Sequence, residues 1–178
     1  MTNAYITAIE ARINENKLSE SNASRLKSVC KTLADERIVK LLESAKVSTD
    51  FATQNVYAIL KLDNLLSNAV KLHKLNDMNK FILQTAIRCA EANETITVTD
   101  CKNACSKSRI VDETRKALTV QNVKHVDEKT VNAQYNSTLN ALKALNILKS
   151  VARESKETHF AIDTKNAIYK SLQKQLAA

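Results

Sequence analysis

The sequence predicts a mainly helical protein with a small β-hairpin, and three observations lead there. None of its 178 residues is Gly or Pro. At ordinary usage roughly 20 such residues would be present. Devices that need glycine are therefore excluded: phosphate-cradling loops, the dinucleotide fingerprint and the nucleophile elbow. Large antiparallel sheets are disfavoured, because tight hairpins lean on Gly. Second, apolar residues recur at helical spacing along most of the chain. Third, strand-like runs occur at only two places. The hydrophobic fraction of 44% and charged fraction of 26% are those of a globular chain. With only 4% aromatics, the core must be built from Leu, Ile, Val and Ala.

The elements follow in order. Asn3 or Thr2 caps a helix carrying Tyr5, Ile6, Ile9 and Ile13, which ends at Asn14-Glu15-Asn16. Ser19 or Ser21 caps the next, with Leu26, Val29, Cys30 and Leu33 as its stripe. After a bend near Ala34-Asp35 come Ile38, Val39, Leu41 and Leu42. Ser48-Thr49-Asp50 starts a helix that carries Phe51, Val56, Ile59 and Leu60 and runs through Leu62, Leu65, Leu66 and Val70 to Leu72. These stripes can pack on each other as a bundle or on a second copy as a dimerisation arm.

Asn76 or Asp77 caps a helix with Phe81, Ile82, Ala86 and Ile87, ending near Ala92-Asn93. Thr95-Ile96-Thr97-Val98 is β-branched throughout and reads as a strand. Thr99-Asp100 caps a short helix from Cys101 to about Lys107. A further helix is expected with Ile110, Val111, Ala117 and Leu118 on its apolar side, extending toward Val126. Asp127 suits the positive end of the helix that follows. In that helix Val131, Tyr135, Leu139, Leu142 and Leu145 recur at spacings of 4, 4, 3 and 3. Phe160 and Ile162 alternate with small or polar neighbours, which predicts a hairpin with the Ile147–Ala152 stretch and a charged tip. Asp163-Thr164 caps a last helix with Ala167, Ile168, Leu172 and Leu176.

The charge is one-sided. Residues 1–100 hold 13 basic and 12 acidic side chains, whereas residues 101–178 hold 14 and seven. A basic half is the footprint of a polyanion binder. The 17 asparagines include Asn14, Asn79, Asn132 and Asn146, and Asn is the best non-glycine residue for left-handed caps. This Asn- and Lys-rich, Gly- and Pro-free composition is that of an AT-rich genome, such as a virus or mobile element.

Helix, short strand, helices, long helix, hairpin and helix is an order that resembles a winged helix-turn-helix domain. The closest local match is Leu139-Asn140-Ala141-Leu142-Lys143-Ala144-Leu145-Asn146-Ile147-Leu148. Leucines end a recognition helix there, and an apolar pair leads into the wing. Asn146 stands where the family has Gly. The stretch from Lys107 to Lys129 is longer than the family's compact turn. The expected fold is thus an N-terminal helical bundle or dimerisation region (1–75), then a winged-helix domain (76–178). No cofactor is implied.

The resemblance implies a recognition helix at about 129–146 in the major groove and a wing at about 147–162 on the backbone. Base edges would be read by Asn132, Gln134, Asn136, Ser137 and Asn140. Phosphates would be met by Lys129, Lys143, Lys149, Arg153 and Lys156, with Lys107 and Arg109 on a second basic edge. The expected function is sequence-specific binding of double-stranded DNA, as a transcription regulator or a replication or partition factor, with a homodimer formed through the N-terminal helices. The alternative is an all-helical interaction factor, such as a viral inhibitor or assembly protein, that docks on a protein partner and not on DNA.

Other chemistry has little support. Cys101 and Cys105 share a helix face, but no fourth zinc ligand is evident beside Cys89, and buried thiols are the expectation. His73, His125 and His159 show no catalytic spacing, and acidic pairs such as Asp112-Glu113 and Asp127-Glu128 fall at helix starts. An enzyme is not expected. No apolar run approaches the roughly 18 residues of a membrane span, and Met1–Ile6 lacks a secretory pattern. A cytoplasmic protein is expected, at the nucleoid or, for a viral chain, in the host cytoplasm.

Overall fold

The computed structural model describes residues 3–15, 17–152 and 157–177. The elements run α1 (Ala4–Asn14), α2 (Glu20–Leu33), α3 (Glu36–Ser44), α4 (Val56–Ala69), α5 (Asp77–Glu91), β1 (Ile96–Thr97), α6 (Val98–Ala104), α7 (Glu128–Ala144), β2 (Leu148–Val151), β3 (His159–Ile162) and α8 (Ala167–Ala177), with short 3-10 turns at Thr49–Thr53 and Glu113–Arg115. The protein is mainly helical with a small antiparallel sheet, as its composition predicts.

Side-chain caps set most helix starts. Asn3, Ser19, Asp35, Asn55, Asn76 and Asp127 each accept a backbone N–H of the first turn that follows. Three starts differ from expectation. The Ser48 signal opens only the 3-10 turn, and α4 begins at Asn55, a better-placed cap. Thr97, not Thr99, caps α6, in a capping box with Asp100. Asn166, not Asp163-Thr164, caps α8, its Oδ1 accepting from the amides of Ile168 at 2.9 Å and Tyr169 at 3.1 Å.

Four helices end with a left-handed residue, and none of the four is glycine: Lys46, Lys71, Asn93 and Asn146. Each builds the same pair of closing bonds. At α7, Asn146 N–H donates to Lys143 O at 2.9 Å and Ile147 N–H to Leu142 O at 3.0 Å, the Schellman pattern. The helix through Leu72 is shorter than predicted, because Lys71 closes α4 this way and leaves Leu72 exposed.

The sheet has the order β1-β3-β2. β3 is central, with Phe160 opposite Ile96 on one side and Ser150 on the other. Phe160 is buried between the helices and the sheet. The expected charged hairpin tip, including Arg153 and Lys156, lies outside the described residues.

The apolar stripes of α1–α4 are buried within this chain. α4 packs on α2, α7 and α8, and α3 also meets α8. Ile59, Leu62, Leu65 and Leu66 of α4 share one continuous core with Leu139, Leu142, Leu145, Phe160 and Leu172. Segments 1–75 and 76–178 therefore do not have separate cores, and the stripes foreseen for a second copy are covered by the chain itself. A buried amide network ties α4, α5 and α7. Asn79 Nδ2 donates to Lys61 O at 2.9 Å and Asn64 Oδ1 at 3.0 Å, and its Oδ1 accepts from Thr138 Oγ1 at 2.9 Å. Burial there brings the Lys61 ammonium down to about 8.

The helix expected over 110–126 is absent. That stretch is a long loop holding only the Glu113–Arg115 turn. Seven of its 17 residues are β-branched, and long-range side chains satisfy part of its backbone instead of a helical ladder. Val120 N–H donates to Thr85 Oγ1 at 2.9 Å and Val126 N–H to Ser106 Oγ at 2.9 Å. Arg115 clamps the loop to the start of α6: Nη2 lies 2.5 Å from Asp100 Oδ2, Nε donates to Asp100 Oδ1 at 3.1 Å, and Nη2 donates to Thr95 O at 2.9 Å.

Candidate nucleic-acid interface

The exposed side of α7 follows from its pattern. Val131, Leu139 and Leu142 face the core, and 3.6-residue periodicity turns the opposite side to solvent. Lys129, Asn132, Ala133, Asn136 and Lys143 are exposed, and Asn140 is half-buried on the same side. No acidic residue occurs from Lys129 to Arg153. The result is a stripe of amides flanked by two lysines, with one carboxylate at its N-terminal end, where Asn132 Nδ2 lies 3.4 Å from Glu128 Oε1.

Two residues predicted for base contact lie off this stripe. Ser137 is only 7% exposed, and its hydroxyl donates to Ala133 O at 3.0 Å. Five apolar positions placed it outward from spacing alone, but α7 is covered over more of its circumference than a three-helix domain would cover it, because α4 also packs on it. Gln134 is half-buried away from the stripe.

The cations divide into paired and unpaired. Lys149 Nζ lies 2.9 Å from Asp163 Oδ2, and that hydrogen bond leads the lowering of the Asp163 carboxyl below its usual range. Arg109 donates to Asn103 Oδ1 at 3.1 Å and pairs with Glu128 at the start of α7. Its charge thus neutralises the acid nearest the amide stripe. Lys107, Lys129 and Lys143 form no ion pair with the described residues, although Lys143 Nζ lies 5.8 Å from the centre of the Phe160 ring. Lys102 on α6 reaches the ring of Tyr135 at 5.2 Å, which holds α6 against the core side of α7. Arg153 and Lys156 lie outside the described residues.

The N-terminal end of α7 is held by Asp127. Its carboxylate accepts from Thr130 Oγ1 at 2.7 Å and Thr130 N–H at 2.9 Å. These two bonds, the hydroxyl first, keep the carboxyl below its ordinary range.

The chain matches no protein-family model, no curated protein and no solved structure. Its chemistry therefore rests on its own residues. Cys89, Cys101 and Cys105 are buried, and desolvation pushes Cys89 and Cys105 up to about 11. Such thiols stay protonated and unreactive at neutral pH. Among the described residues, no group of three or more His, Cys, Asp or Glu side chains is arranged to hold a metal ion, and no helix is long and apolar enough to cross a membrane.

One exposed residue escaped the sequence reading. Ile110 was assigned to the inward side of a helix, yet it is 94% exposed at the tip of the α6–α7 loop. The only local signal against that helix was its β-branched content.

Proposed function

We propose that residues 76–178 adopt a winged helix-turn-helix arrangement, sharing its core with the N-terminal helices, that binds double-stranded DNA sequence-specifically. α7 enters the major groove, and the β2–β3 hairpin lies along the backbone. The observation that carries this reading is the amide stripe of α7, without an acidic residue from Lys129 to the end of the helix, on the helix that leads directly into a hairpin. Asn pairs bidentately with the N6/N7 edge of adenine, at about 1–3 kcal/mol of discrimination per pair. Asn132, Asn136 and Asn140 are the base-reading residues, with Lys129, Lys143 and Lys107 on phosphates. The element order α5-β1-α6-α7-β2-β3 and the strand order β1-β3-β2 further support the reading, as does the basic half of the chain.

The test is fluorescence anisotropy with duplexes selected from a random-sequence library, titrated at several salt concentrations. The wild-type chain is expected to select a consensus. Asn132→Ala with Asn136→Ala should abolish sequence preference and leave thermal stability unchanged, since both residues are exposed. Lys107→Ala, Lys129→Ala and Lys143→Ala together should flatten the salt dependence by about three units, roughly 0.9 per phosphate. No binding at low salt would overturn the proposal.

A further inference from the structure

The α6–α7 loop is held rigid, yet it presents apolar groups to water. Gln121 Nε2 donates to Arg109 O at 2.8 Å and Ser106 O at 3.1 Å. Asn122 N–H donates to Ala104 O at 2.9 Å, and Lys107 N–H to Lys124 O at 3.2 Å. Within this frame Ile110 is 94% exposed and Val123 is 72% exposed.

Ile110 is fixed from both sides. The carbonyl of Arg109 before it is bound by Gln121, and the guanidinium of Arg109 is bound by Asn103 and Glu128. Val111 after it is buried. The side chain cannot fold back onto the core without breaking these contacts. The Arg109–Glu128 pair also sets Ile110 one residue from a direct contact with the first residue of α7.

We propose that Ile110 is a specificity-determining residue that meets the C5-methyl group of a thymine in the major groove, beside the N-terminal turn of α7. This rests on the DNA-binding reading above. The N-terminal residues of a groove-reading helix contact base edges, and thymine alone carries a methyl group on the major-groove edge. Lys107 lies three residues before Ile110 and forms no ion pair with the described residues, whereas Arg109, Arg115, Lys116 and Lys124 are paired with Glu128, Asp100, Glu113 and Asp77. On DNA Lys107 meets a phosphate while the isoleucine meets the methyl.

The experiment uses the full chain and the duplex it selects from a random-sequence library. Each thymine is replaced in turn by deoxyuridine, which deletes only the methyl group. Wild-type affinity should fall about fourfold at one position near the α7 contact, the worth of one buried methyl-sized group. Ile110→Ala should bind the thymine duplex more weakly and be indifferent to deoxyuridine at that position. Lys107→Ala should lower the salt slope and keep the thymine preference. If Ile110→Ala binds like wild type and still discriminates against deoxyuridine, this assignment is overturned and the DNA-binding reading stands. If the wild-type chain binds no duplex at low salt, both fall.

Discussion

Asn146 does two things that one residue type alone can do well. Its backbone is left-handed, with φ of 57°, which Gly would adopt without strain. Its side chain also reaches 100 residues back. Nδ2 donates to Ala45 O at 3.1 Å and Lys46 O at 3.0 Å, at the end of α3. Gly would supply the turn and lose both bonds, so the glycine-free composition is functional at this position. Asn146→Gly should cost about 1–2 kcal/mol from the two orphaned carbonyls, and Asn146→Ala roughly 1 kcal/mol more from left-handed strain. Urea unfolding checks the order. A Gly variant more stable than wild type by about 1 kcal/mol, the relief of left-handed strain alone, would mean that the two side-chain bonds contribute nothing. Lys46 and Lys71 show the contrast, since their side chains are exposed and serve no such bond.

At the scale of elements, the loop between α6 and α7 depends on Arg115. Asp100 is 2% exposed on its side chain, and its partner Arg115 comes from the loop. Removing one member of such a pair leaves a buried charge. Arg115→Ala should destabilise the protein by about 3–5 kcal/mol. Adding Asp100→Asn should recover part of that loss, because a neutral amide replaces the orphaned carboxylate, and the two changes should be strongly non-additive in denaturant unfolding. The start of α7 carries a pH dependence of its own. Hydrogen bonds from Thr130 hold Asp127 below its ordinary value. A lowered folded value stabilises the fold above the unfolded value near 3.9. That stabilisation is lost as pH falls through the folded value. Protection factors for amide exchange at residues 128–131, which correct for the intrinsic pH dependence of exchange, should fall below about pH 4 in wild type. In Asp127→Asn, whose cap does not titrate, they should change little.

At the scale of the whole molecule, one core runs through both halves of the chain. Ile59, Leu62, Leu65 and Leu66 of α4 are buried in the same core as Leu139, Leu142 and Leu172, and Asn79 links Lys61 of α4 to Thr138 of α7. A fragment of residues 76–178 would expose the α4-facing sides of α7 and α8. It should lack dispersed amide NMR signals and a sharp thermal transition, whereas the full chain should unfold in a single transition seen equally by far- and near-ultraviolet circular dichroism. A folded 76–178 fragment would support the division into two domains at residues 75 and 76. The amide stripe of α7 remains on the outside of the molecule, so DNA-contact variants should change binding without changing stability.

The sequence by itself determined where most helices begin and end. A capping side chain bonds an amide two or three residues away, so the starts were readable to within a pair, Asn3 or Thr2, Ser19 or Ser21 and Asn76 or Asp77, with Asp127 as a start and Asn146 as a left-handed stop. The stripe of Asn132, Asn136 and Asn140 was readable for the same reason, since helical period alone sets their side. Only the tertiary structure decided three other things. It turned the α1–α4 stripes inward, because apolar periodicity marks a buried face without naming what covers it. It buried Ser137, because α4 covers part of α7 that local spacing leaves open. It also replaced the helix expected at 110–126 with a rigid loop presenting Ile110, because the bonds that hold that loop come from Thr85, Asp100 and Asn103, which no local pattern brings near it.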